Sequence, residues 1–223
     1  MLAWQSGVIS FSQPETLSGR VVYQGEAPRP AKLLVIADVA VCGKTDHYDD
    51  RLQIGTNNGI KDAVVWLERV EGGKSLASMG SEFVLDQRGC TYLPHVLLAP
   101  VNTPVQILNN DAIFHNVHTY SSANTPVNLP HPHFKKKLEM VFTAAEKISV
   151  RCDVHGWMSG WIIAVDHPYY ATTDAEGGFA LSDIPPGHYT VHCWQELLGA
   201  QQARVKIAAG AQVTLDFTYR PAE

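Results

Sequence analysis

Helical periodicity is almost missing from this chain. Short β-branched and apolar runs recur along its length instead, each ended by Gly, Pro, Asn or Asp. Such runs cannot bury a helix face, but they suit half-buried strands whose side chains alternate between two faces. Strands are expected at 19–23, 33–36, 63–67, 83–85, 96–98, 105–108, 115–119, 138–142, 147–152 and 160–165. Further strands are expected at 169–172, 178–180, 188–194, 203–207 and 212–219. One short helix is expected around 37–42. This rhythm predicts an all-β chain of antiparallel sandwiches or barrels. Asp166-His-Pro168 reads as a boundary, giving a first domain over 15–166 and a second over 167–223. Strong turn signals, Asp174-Ala-Glu-Gly177-Gly178 and Asp183-Ile-Pro-Pro186-Gly187, punctuate the second. That tail of roughly 57 residues is marginal alone and is expected to pack against the first.

A formal net charge of -5 argues against nucleic acid as a partner, since no broad basic surface is available to neutralise phosphates. Lys135-Lys136-Lys137 is a short basic run, read as solvated, with an acidic docking partner as the lesser alternative. No apolar stretch approaches the ~20 residues of a membrane span.

Chemistry concentrates in Cys152-Asp-Val-His155-Gly-Trp-Met158. A thiol, an imidazole and a thioether lie within one short loop between two expected strands. Upstream, Phe-His115-Asn-Val-His118 offers another imidazole from a separate strand. One thiolate, two imidazoles and a weak axial thioether form the ligand set of a mononuclear blue-copper site. His115, Cys152, His155 and Met158 are thus the candidate ligands for one copper ion. Strand alternation puts His115 and Val117 on one side and Asn116 and His118 on the other, so only one of the two histidines can face the loop. Alternation alone does not choose between them. Asn116 is positioned to hydrogen-bond the loop.

Other readings of the same residues are weaker. Zinc takes a thioether poorly. A hydrolytic Cys–His pair has no use for Met158. A buried cysteine with an incidental histidine and a core methionine is the structural alternative. His95, His118, His131 and His133 raise the question of a second metal site, against a default of solvated or backbone-bonded histidines. His167, His188 and His192 read as structural. Trp66, Trp161 and Trp194 read as core, and Trp157 as a docking residue. Asp174 and Glu176 are too few for a calcium site. Four cysteines allow three full pairings. With Cys152 on metal, Cys42–Cys90 is the natural disulfide, and two unpaired buried thiols are the alternative. Cys193 reads as a small core residue.

Residues 105–165 resemble the cupredoxins of the plastocyanin/azurin family. The resemblance is carried by Asn109-Asn-Asp-Ala-Ile-Phe-His115-Asn-Val-His118, Lys135-Lys-Lys137, Phe142-Thr143 and Cys152-Asp-Val-His155-Gly-Trp-Met158-Ser-Gly160. The Cys-x2-His-x2-Met spacing is the amicyanin-like loop length. The resemblance implies a Greek-key sandwich with His115, Cys152, His155 and Met158 as ligands, and not His118. It also implies that the loop histidine lies at the surface in an apolar patch. Redox partners, cytochromes or a dehydrogenase, would then dock near His155 and Trp157. Gly156 stands where the family more usually has proline. The tail resembles transthyretin-like, carboxypeptidase-regulatory-type sandwiches through Thr173-Asp-Ala-Glu-Gly-Gly-Phe179 and Ile184-Pro-Pro-Gly-His-Tyr189-Thr-Val191.

The expected function is a blue copper electron carrier and not an enzyme. A non-redox copper-binding or structural subunit is the alternative. Met1-Leu-Ala-Trp-Gln-Ser lacks signal-peptide character. A copper–thiolate site nevertheless favours a periplasmic or extracellular chain from which a leader has been removed.

Overall fold

A computed structural model describes residues 14–221. Among these residues the architecture is all-β, as expected, with a single α-helical turn, Val39–Cys42. None of the described helices is long and apolar enough to cross a membrane.

The first unit is a β-sandwich of two sheets. One sheet runs Lys137–Val141, Pro104–Asn109, Phe83–Gln87, Tyr92–Leu93 in spatial order. The other runs Asn128–His131, His115–Tyr120, Glu146–Arg151, Ser159–Val165, Val96–Pro100. Parallel pairing of Pro104–Asn109 with Phe83–Gln87, and of Ser159–Val165 with Val96–Pro100, sits among antiparallel neighbours. Period-2 alternation sends Val105 and Ile107 inward from one sheet, and Val117, Ile148, Val150 and Ile162 inward from the other. The strands of this unit match their expected runs to within one or two residues at each end. The run expected at 33–36 does not form as a strand: only Lys32–Leu33 pairs, and Leu34 and Ile36 are exposed.

The second unit is a smaller sandwich, and it corrects the expected boundary at 166. Strand Thr16–Tyr23 pairs antiparallel with Gly178–Ser182 and parallel with Gln212–Thr214 and Phe217–Tyr219. Strand Val64–Leu67 lies between Tyr170–Thr172 and Gly187–Gln195, with Gly199–Ile207 beyond. Leu17, Val21, Ile60, Val65 and Leu67 are buried with Tyr169, Phe179, Ile184 and Val191 in this core. The tail is too short to close a core on its own, so it is completed by two strands from the N-terminal part of the chain. Val64, Val96, Ile163 and Val165 form a third buried cluster joining the units, with Trp66, Trp161 and Trp194 packed against it. These tryptophans are half-buried at the junction rather than central to either core.

Cys42 and Cys90 form a disulfide across 48 residues. Cys193 is fully buried in the second core, with the Tyr219 hydroxyl 3.7 Å from its sulfur.

Candidate metal centre

The strand Glu146–Arg151 ends one residue before Cys152, and Ser159–Val165 begins one residue after Met158. Arg151 pairs with Ser159, so the seven residues between them must turn back at once. The Cys152 N–H donates to the Met158 carbonyl (3.3 Å), and the Met158 N–H to the His155 carbonyl (2.8 Å). These bonds leave the loop little slack. Asn116 fixes it from the neighbouring strand: its Oδ1 accepts from the Asp153 N–H at 2.7 Å.

His115 opens the strand His115–Tyr120 and points inward with Val117 and Thr119, all three fully buried. His118 points outward to the Asp153 carboxylate at 3.0 Å. His115, and not His118, is therefore the histidine turned toward the loop, a choice alternation alone left open.

Three donor atoms converge. The Nδ1 atoms of His115 and His155 are 3.0 Å apart, and the Cys152 Sγ lies 3.9 and 3.6 Å from them. The point equidistant from these three atoms is about 2.1 Å from each, near the ~2.0–2.3 Å of metal bonds to imidazole nitrogen and thiolate sulfur. Met158 closes the loop and is buried in the same core.

The outer nitrogens define what the inner ones can do. His115 Nε2 donates to Asp111 Oδ2, and His155 Nε2 donates to Asp38 Oδ2, both at 2.9 Å. Each ring then turns its Nδ1 inward. Two ring nitrogens and a sulfur face one another in a buried space, which suits them to a shared proton or a metal ion. Burial works against charge on His115, but Asp111 and the Cys152 sulfur outweigh it and raise its pKa to about 9. Burial likewise works against a Cys152 thiolate, yet His115 and the surrounding N–H groups bring the thiol below its usual range. Burial lowers the pKa of His155 despite Asp38. A soft metal ion held by His115, Cys152 and His155 would take the place of the proton on His115. A thiolate with two oriented imidazoles fits copper.

Two features depart from expectation. His155, which the resemblance places at the surface, is 0% exposed, with Asp38 seated on its Nε2. Trp157 is half-buried rather than a free docking ring. Its indole N–H donates to the Cys90 carbonyl, and its ring centroid lies 5.1 Å from that of His155. Asp38 and Asp111 were not singled out from the sequence as functional groups. Asp111 falls inside the motif ending at His118, which was the available signal; Asp38 gave none.

The remaining histidines are held apart. His95 bonds Glu196, His131 bonds Gln87, His118 bonds Asp153, and the His133 ring packs edge-on against Phe134. Among the described residues, the groups of three close donors are His115/Cys152/His155 and Cys90/Asp111/His115. The second has no free thiol, because Cys90 is in the disulfide.

Comparison with known proteins adds partial likenesses. The family described as "Polysaccharide lyase family 4, domain II" matches residues 145–215, from the strand before the ligand loop into the second sandwich. No curated protein matches the chain. Similar solved structures include a Cu-containing nitrite reductase from Thermus scotoductus SA-01, at 20% identity and TM-score 0.36, covering 39% of this chain and 23% of that one. An oxidised amicyanin variant is similar at 20% identity and TM-score 0.35, covering 45% of this chain and 98% of its own. A purple cupredoxin from Nitrosopumilus maritimus is similar at 19% identity and TM-score 0.31, covering 38% and 100%. The present chain thus spans under a quarter of the nitrite reductase. At these scores the likenesses carry no weight for function, and the metal centre stands on its own donor geometry.

Proposed function

We propose that this chain binds one copper ion through His115, Cys152, His155 and Met158 and carries single electrons between partner proteins outside the cytosol. The supporting observation is the convergence of two inward Nδ1 atoms and the Cys152 sulfur, each imidazole held from behind by a carboxylate. Copper, when bound, supplies a one-electron couple. The protein's part is to keep the donors still. Asp111 and Asp38 fix both rings, Asn116 fixes the loop, and the sandwich core fixes the strands that carry them. A frame that does not rearrange between oxidation states lowers the cost of each transfer.

In this reading the four side chains saturate the centre and leave no open position for a substrate, so the chain is not an enzyme. A compartment outside the cytosol, such as the periplasm, is supported by the Cys42–Cys90 disulfide. Partner proteins would approach across Val39, Phe114 and Val154, exposed apolar residues each adjacent in sequence to Asp38, His115 or His155.

Copper loading tests this directly. The loaded protein is expected to show an intense visible thiolate-to-copper band at one copper per chain, and Cys152→Ser to lose it. A colourless protein after loading would refute the assignment.

One observation favours a second reading, a non-redox copper-binding or structural subunit: full burial of His155 lengthens the path to a partner. Voltammetry separates the two. A reversible couple supports the carrier, and tight Cu(I) binding without one supports the subunit.

A further inference from the structure

The covalent link nearest the centre does more than close a loop. Each end of the Cys42–Cys90 disulfide is tied to a carboxylate that holds a ligand histidine, Cys42 to Asp38 within one turn of chain and Cys90 to Asp111 through backbone hydrogen bonds. On the Cys42 side, the Cys42 and Val41 N–H groups donate to the Asp38 carbonyl at 2.9 and 2.8 Å, so Asp38 and Cys42 bracket one rigid turn. His47 Nε2 lies 2.9 Å from the Cys42 carbonyl and ties the end of that turn. On the Cys90 side, the Cys90 and Gly89 N–H groups donate to Asp111 at 2.9 and 2.7 Å, and the Cys90 carbonyl accepts from Trp157 beside His155.

Local preference is set aside at both ends. Aspartate is a favoured helix N-cap, and Asp38 occupies the N-cap position of Val39–Cys42. Yet its carboxylate caps nothing in that turn and reaches His155 instead. Asp38 and Cys90 are both left-handed, at φ 47 and 54, a conformation that is unfavourable for a non-glycine residue. Such backbone persists where the surroundings demand it, and here both residues serve the same two rings.

We propose that the Cys42–Cys90 disulfide, with Asp38 and Asp111 as its two arms, is the positioning frame of the metal centre: it sets the orientation of His155 and His115 and so the affinity of the site. This rests on the copper reading above. Asp38 and Asp111 are positioning residues that act through the imidazoles. The disulfide acts through them in turn.

A double-mutant cycle on the full chain tests this, comparing wild type, Asp38→Asn, the pair Cys42→Ser with Cys90→Ser, and the combination of all three. Copper affinity is measured by competition with a chelator of known strength, on protein shown to be folded by its amide spectrum. Loss of an outer-layer partner typically costs 10–100-fold in affinity. Asp38→Asn and the disulfide pair are each expected to fall in that range, while the combination loses much less than the product of the two. Metal-free protein gives a second readout. Nitrogen NMR of the His155 ring should show the Nε2–H tautomer in wild type and a mixture in both variants.

Unchanged copper affinity and an unchanged tautomer in folded, disulfide-free protein would overturn the proposal, whatever the loss in melting temperature. Multiplicative losses would also overturn it, because they mean independent actions. Should the disulfide pair fail to fold, Asp38→Asn carries the test through its tautomer and affinity, with wild-type values overturning the proposal. Absence of a thiolate–copper band in wild type signals failure of the copper reading itself, a separate outcome.

Discussion

Changing Glu196 to Gln should remove a pH-dependent part of the stability that spans the two sandwiches. Glu196 sits in the turn between Gly187–Gln195 and Gly199–Ile207 of the second unit. Its carboxylate accepts from His95 Nε2 and, at 2.9 Å, from the Trp161 indole, both in the first unit. The His95 side chain is only 4% exposed, and its Nδ1 faces Asp50 at 3.5 Å, a charge contact rather than a well-formed hydrogen bond. Burial pushes the His95 pKa down. Asp50 and Glu196 outweigh that and raise it from 6.5 to about 10. A raised folded pKa means the native state holds the proton more tightly. The contribution is therefore complete below 6.5 and is lost as pH rises through about 10. The gap between those values sets a ceiling of ~5 kcal/mol at ~1.4 kcal/mol per pH unit. Desolvation of the charges and the partial exposure of Asp50 reduce the expected value to ~2–3 kcal/mol. Glutamine keeps an acceptor for Trp161 and deletes the charge. Asp50 keeps part of that shift in the variant, so denaturant unfolding of wild type and Glu196→Gln across this range should show the difference between them narrowing by ~1 kcal/mol as pH rises. Curves that stay parallel would falsify the assignment of a charged His95 bridge.

Gly19→Ala should be severely destabilising, by ~3 kcal/mol or more, because a Cβ there would sit 1.8 Å from the Leu215 carbonyl oxygen; a melting temperature near wild type would contradict this. A fragment of residues 167–223 should stay unfolded in circular dichroism, since Leu17, Val21, Val65 and Leu67 of its core lie elsewhere in the chain; a cooperative melt would show that the borrowed strands are dispensable. Burial works against the Glu146 carboxylate, but Ser121, Ser122 and Asn124 outweigh it and hold its pKa well below the usual range. Its hold on the 121–124 loop is therefore complete above 4.5 and lost as pH falls toward the lower folded value. Hydrogen exchange at the Ser122 and Asn124 amides should accelerate in acid, and Glu146→Gln should accelerate it already at neutral pH.

Legibility in the sequence followed the range of the interactions. Cys152, His155 and Met158 could be grouped because a hairpin loop between paired strands keeps neighbours in sequence close in space. His115 followed once a sheet strand was expected to pass the loop. Asp38 is 117 residues from His155, and its turn carries no pattern marking it as a cover for that ring. Burial of the loop histidine was therefore not legible, and a likeness to shorter chains suggested the reverse. The boundary at 166 failed for a related reason. The sequence predicts strands at 19–23 and 63–67, but a strand's own residues do not name the sheet it joins. The tail's inability to bury a core was legible, and the N-terminal strands were the segments available to complete it.

These two surprises share a cause. The N-terminal part of the chain serves both sandwiches: 16–23 and 64–67 complete the second core, and the span between them carries Asp38 and Cys42 over the ligand loop. Glu196 and His95 add a charged contact between the units, and Trp161 joins it from the strand that leaves the loop. Loosening the second sandwich should therefore be felt at the centre through two routes, the displaced N-terminal strands and the Ser159–Val165 strand. The second sandwich is then part of the scaffold that holds His115, Cys152 and His155 together, and not an appendage to a self-sufficient first sandwich.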